Sequence, residues 1–236
     1  MEHHKSQSTG QTMALGHDQL ATMRGAFLQR VYGHLAAAIA LFVLIQVLLY
    51  QSGAADAIAR TLLGYNWLLV LGGFVVVGWL GRSVAYRATS ISGQYGGLAL
   101  YVVGQSIIFV PLLFMARQTA PGVIESAAAI TLIGFTLLTM LALSMRHDFS
   151  FLGGLLKWAG LVALLAIVGG VFFDFVLGTW FSVAMIGLAG ASVLYDTQKI
   201  LVSYPDDRYV GAALELFAGI ALMFWYVLRL LMGSRR

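Results

Sequence analysis

Residues 123–145 read VIESAAAITLIGFTLLTMLALSM, with Glu125 as the single charged side chain, close to one end. A helix rises 1.5 Å per residue, so about 20 apolar residues carry the chain across the roughly 30 Å hydrocarbon core of a bilayer. This stretch is long enough and apolar enough to do so. Working outward, the same criterion gives seven spans: 31–52, 64–81, 93–115, 123–145, 152–176, 179–201 and 210–232. The connections are short. Three carry clear helix breakers, at Gln51-Ser52-Gly53, Ala120-Pro121-Gly122 and Tyr204-Pro205-Asp206-Asp207. Pro111 lies well inside a span, where a kink is expected. The expected architecture is all-α, a polytopic membrane protein built as one seven-helix bundle over residues 24–236. A polar, flexible tail is expected over 1–23.

Composition says the same of the whole chain. Of 236 residues, 60% are apolar and 10% charged, with a mean hydropathy of +0.86. A soluble domain carries roughly 25% charged residues, so too few polar groups exist here to coat a water-facing surface. There is no cysteine, which excludes disulfides, cysteine-ligated metals and thiol nucleophiles. The net charge of +4 comes from basic residues scattered singly at span ends, the pattern of topology determinants rather than of a nucleic-acid patch. Residues 1–23 lack the apolar core of a secretory signal, so the first span is expected to act as an uncleaved anchor.

With seven spans, Lys5, Arg24, Arg30, Arg82, Arg87, Arg146, Lys157, Lys199 and Arg208 fall on the N-terminal side. Arg60, Arg117, Arg229, Arg235 and Arg236 fall on the other. The positive-inside rule then puts the N-terminus in the cytoplasm. Glycine pairs such as Gly93 and Gly97, or Gly187 and Gly190, are expected to let helices approach closely.

Charged groups inside a span cost roughly 2.5–3.5 kcal/mol and need a reason. Arg60, Arg117, Arg146, Lys157 and Arg229 can snorkel from span ends, and Glu125 and Asp174 sit near the outer interface. Asp196 and Glu215 differ. Each lies about five residues inside its span, on either side of the 202–209 connection, so both fall roughly 7–8 Å below the same membrane face. Arg82 closes the second span on that side. Two carboxylates in low dielectric resist double ionisation and titrate jointly. Such a layer can sense pH, hold a hard cation through oxygen ligands, or form a static salt bridge. No nucleotide-binding, zinc-peptidase or serine-hydrolase motif is present, and no catalytic constellation suggests an enzyme. Gln46 and Gln105 are expected to join helices as intramembrane amides.

Four stretches resemble the Bax inhibitor-1 family. They are Gln29-Arg30-Val31-Tyr32-Gly33, the junction Arg146-His147-Asp148-Phe149-Ser150-Phe151-Leu152-Gly153-Gly154, the segment Tyr195-Asp196-Thr197-Gln198-Lys199-Ile200, and Leu228-Arg229-Leu230-Leu231. The resemblance implies a seven-helix bundle with the last helix central. It also implies a passive calcium leak governed by pH through two aspartates, one ending helix six and one in helix seven, with an arginine near the end of helix two. Asp196 matches the first aspartate and Arg82 the arginine. The position of the second, ten residues before Arg229, is held by Gly219, with Glu215 one turn earlier. The expected pH-sensing and cation-binding pair is therefore Asp196 with Glu215, taking calcium transiently, and Arg82 is the expected latch partner.

Resemblance to bacterial members implies a bacterial inner membrane and a role in stress survival. It also supplies the alternative, a non-transporting interaction protein that modulates membrane protease quality control. The expected partners are the lipid bilayer, calcium or other cations and, on the alternative reading, a membrane protease. No resident cofactor is expected.

Overall fold

The computed structural model describes residues 2–64, 76, 78, 80–81, 83–84, 90–144, 149–173 and 177–234, with side chains from residue 24 onward. All regular structure among them is helical: α1 (Glu2–Gln51), α2 (Ala54–Gly64), α3 (Ile91–Thr119), α4 (Val123–Ser144), α5 (Ser150–Phe172), α6 (Thr179–Val202) and α7 (Tyr209–Ser234). Six helices are long and apolar enough to cross a membrane, α1 through its part Arg24–Gln51. They coincide with six of the seven expected spans. The remaining one, 64–81, lies mostly outside the described residues, as do Arg82, Arg87, Arg146, His147, Asp148 and Asp174.

α1 begins at Glu2, so the polar N-terminal stretch continues the helix of the first span. α2 was not anticipated, being too short to span. It packs Ala55 and Ala59, one turn apart, against Val110 of α3. Sharp turns fall at Gly53 and Gly122, whose φ values of 75° and 76° favour glycine. α3 starts at an N-cap, where the Ser90 hydroxyl accepts from the Gly93 N–H at 3.2 Å, and it continues through Pro111.

α7 is the central helix. It packs against α1, α3, α4 and α6, while α5 touches only α6 among the described helices. A bilayer supplies little hydrophobic drive between helices, so close packing and hydrogen bonds must hold them. The packing is visible at Phe109, whose ring stacks on Phe224 at 5.6 Å and meets Phe42 and Trp225 edge-on. The Gln46 side-chain amide donates to the Ser106 carbonyl at 2.7 Å, joining α1 to α3 as expected of an intramembrane amide. Small residues act in the same way. A Cβ at Gly190 would stand 3.2 Å from Leu138, and one at Gly81 only 3.0 Å from Tyr101. The outer surface, with Phe151, Trp158, Leu165 and Trp180 exposed, is the apolar face that lipid covers.

Candidate cation site at the junction of α6 and α7

α6 ends at Val202 and α7 begins at Tyr209, so the 203–208 connection brings their polar ends side by side. Asp196, one and a half turns before the end of α6, accepts a hydrogen bond from the Ser192 hydroxyl at 3.1 Å. Glu215, on the second turn of α7, receives Lys199 of α6, whose ammonium stands 3.3 Å from both carboxylate oxygens. The Tyr204 hydroxyl donates to the same carboxylate at 3.4 Å. Lys199 also lies over the Tyr204 ring, 5.4 Å from its centroid.

Tyr204 is buried against the Glu215 carboxylate. Burial pushes its phenol well above the ordinary value; the Glu215 carboxylate adds to the shift, and the charge of Asp196 adds again. Both carboxylates therefore act on one hydroxyl. Ser192, Asp196 and Lys199 sit three and four residues apart on one stripe of α6, which presents a hydroxyl, a carboxylate and an ammonium in line.

Arg24 fastens this end of the bundle. Its guanidinium donates to the carbonyls of Leu201 and Tyr204, each at 2.9 Å, and to that of Ile200, and it pairs with Asp206 at 2.7 Å. Helix C-termini leave unsatisfied carbonyls and partial negative charge, so a guanidinium there is well matched. From α3, the Gln94 side chain donates to the Asp207 carbonyl at 3.1 Å.

Of the residues singled out from sequence, Asp196 and Glu215 lie near the facing ends of α6 and α7, Glu215 bonded to Lys199 and Tyr204 and Asp196 to Ser192. Arg82 lies outside the described residues. Gly219 is buried against α6: a Cβ there would meet Val193 Cγ2 at 3.0 Å. Lys199, Tyr204, Ser192 and Arg24 were not anticipated as parts of the site. The i, i+4 and i+7 spacing of Ser192, Asp196 and Lys199 was the available signal. No group of three or more His, Asp or Glu side chains able to hold a metal occurs among the described residues. The oxygen donors at the start of α7, the Glu215 carboxylate and the Tyr204 hydroxyl, are of the kind that suits hard cations.

A family model described as "Inhibitor of apoptosis-promoting Bax1" matches residues 24–236, the whole bundle. The chain belongs to the Bax inhibitor-1 family. It is 27% identical to human Bax inhibitor 1 over 162 residues, covering 66% of this chain and 68% of that protein. It is 31% identical to Protein LIFEGUARD 1 of Arabidopsis thaliana over 108 residues, 43% of this chain and 45% of the relative. With Protein LIFEGUARD 2 of the same plant it shares 29% identity over 141 residues, 57% and 58% of the two chains. The matched region thus spans less than half of LIFEGUARD 1 and about two thirds of the human protein. As a Bax inhibitor-1 family member the chain is a multi-pass membrane protein, in keeping with the six long apolar helices among the described residues.

Proposed function

We propose that this Bax inhibitor-1 family member is a non-enzymatic, pH-sensitive passive leak for calcium or other cations, controlled at the junction of α6 and α7. On this reading the junction faces the cytoplasm of a bacterial cell and the bundle lies in its inner membrane. The observation that carries the reading is the Glu215 carboxylate held by Lys199 and Tyr204, with Lys199 one turn of α6 from Asp196. In the closed state the Lys199 ammonium takes the place against Glu215 that a cation would take. Removing the Glu215 charge, as Glu215→Gln does, takes away that attraction and frees α6 from α7 at this end. Asp196, oriented by Ser192, is the ligand that a passing cation meets beside the junction. Calcium entry into proteoliposomes between pH 6 and 8 tests this. Flux should depend on pH, and both Asp196→Asn and Glu215→Gln should change that dependence. A pH-dependent flux left unchanged by Asp196→Asn would sink the reading.

A second reading is favoured by Val193 filling the space at Gly219 and by Lys199 neutralising Glu215. Both features oppose cation passage. The protein would then be a non-conducting interaction partner in membrane protease quality control or stress survival, with residues 1–23 as the handle. Deleting residues 2–20 should abolish protease association, and undiminished co-purification of the truncated chain would rule this out.

A further inference from the structure

Arg24 and Arg30 lie on the same helix, α1, and are used differently. Arg24 turns onto the end of α6 and pairs with Asp206. Arg30 is exposed, and among the described residues it has no carboxylate partner; the ion pairs there are Arg24 with Asp206 and Lys199 with Glu215. Its guanidinium lies instead over the face of Tyr209 of α7, 5.6 Å from the ring centroid.

His34, one turn further along α1, completes the cluster. Its Nδ1 stands 2.7 Å from the Arg30 carbonyl, which can only accept, so Nδ1 carries a proton. Its Nε2 meets the Tyr95 hydroxyl of α3 at 2.6 Å. The imidazole also packs on both phenol rings, 5.0 Å from Tyr209 and 5.5 Å from Tyr95 between centroids. In a neutral imidazole with Nδ1 protonated, Nε2 accepts, so the Tyr95 hydroxyl donates to it and its oxygen can still accept. Tyr95 is 42% exposed, so that oxygen belongs to a side chain a ligand can reach.

Three helices therefore bring an unpaired cation and a hydrogen-bond acceptor together at the polar end of the bundle. Tyr209 is the first residue of α7 and Tyr95 lies in the second turn of α3. Helix N-termini carry partial positive charge, which disfavours an arginine beside them unless an anion is also present. Ala37, Leu41, Leu44 and Leu48 follow His34 at spacings of three and four along one face of α1, and all four are exposed. A basic anchor at the bilayer interface continued by an apolar stripe matches a phospholipid, headgroup first and acyl chain beyond; free phosphate would use only the anchor. We propose that Arg30, His34, Tyr95 and Tyr209 form a headgroup site for one anionic phospholipid of the phosphatidylglycerol type. Arg30 donates to the phosphate, the Tyr95 oxygen accepts from a headgroup hydroxyl, and His34 and Tyr209 position both. An acyl chain follows Leu41, Leu44 and Leu48. The inference does not depend on ion conduction, and its test does not measure flux.

Native mass spectrometry of the full chain, released from detergent micelles doped equally with phosphatidylglycerol and phosphatidylcholine, reads the site. Wild type should retain phosphatidylglycerol in preference, and Arg30→Gln should lower its occupancy several-fold. Arg117 makes a matched control: it is also exposed and also lies over a tyrosine ring, Tyr50 at 4.5 Å, but at the far end of α3. Arg117→Gln should leave the occupancy unchanged. Ala37→Phe, which obstructs the stripe while sparing the headgroup residues, should lower it. Equal retention of the two lipids by wild type, or full phosphatidylglycerol occupancy in Arg30→Gln, would overturn the proposal. Thermal unfolding in phosphatidylcholine nanodiscs separates lost binding from lost folding. Added phosphatidylglycerol should raise the midpoint of wild type and of Arg117→Gln by several degrees, and that of Arg30→Gln by much less. An equal rise with inorganic phosphate alone would mean a free-anion site and would refute the lipid, as would retention of a second copy of the chain in its place.

Discussion

Val193 Cγ2 stands 3.0 Å from where a side chain at Gly219 would begin, so α6 and α7 touch backbone to methyl at the position where the family resemblance implies a second aspartate. Overpacking of this kind costs about 1–3 kcal/mol, and an added carboxylate must also be satisfied. Gly219→Asp alone should lower the thermal unfolding midpoint. Val193→Ala made together with it should recover much of the loss, because the obstructing methyl is gone. If leak is the activity, the double variant should also conduct more calcium than wild type in proteoliposomes.

The Lys199–Glu215 pair is only partly shielded, with side chains 35% and 21% exposed. Its contribution should therefore fall between that of a surface pair and that of a fully buried one. Lys199→Met should destabilise the protein by about 1–2 kcal/mol, because Glu215 loses its main partner. A double-mutant cycle with Glu215→Gln should return a favourable coupling energy, and strict additivity would mean the pair contributes nothing.

Tyr204 gives a pH dependence whose sign follows from its surroundings. Burial first, then Glu215 and Asp196, push its phenol up, so the folded protein holds this proton more tightly than the unfolded chain does. Stability from this group is complete below the ordinary phenol value of about 10 and is lost as pH rises above it. Thermal unfolding midpoints should fall above that pH, and Tyr204→Phe should flatten the alkaline decline.

Arg24 holds four acceptors at the end of α6 with one guanidinium. Arg24→Ala should cost roughly 1–3 kcal/mol, concentrated at the junction. Amide exchange over 203–208 should accelerate while the centre of α7 stays protected. Arg24→Lys should rescue little, since an ammonium cannot match a planar fork spread over three carbonyls and a carboxylate.

The spans were legible in the sequence because crossing a bilayer is a local requirement: length and hydropathy decide it, residue by residue, with no partner needed. Six expected spans match helices to within a few residues at most ends; the departures, α2 and the helix continuing back to Glu2, are segments that no bilayer requirement specifies. That Asp196 and Glu215 share one layer was also readable, since a short connection returns the chain to the face it left. Which groups meet within that layer was not. Helix rotation and axial offset are set by packing between helices, and a turn of 3.6 residues changes which face a side chain presents. Only the tertiary structure could therefore give Glu215 to Lys199, put Tyr204 against the same carboxylate, and seat Val193 on Gly219.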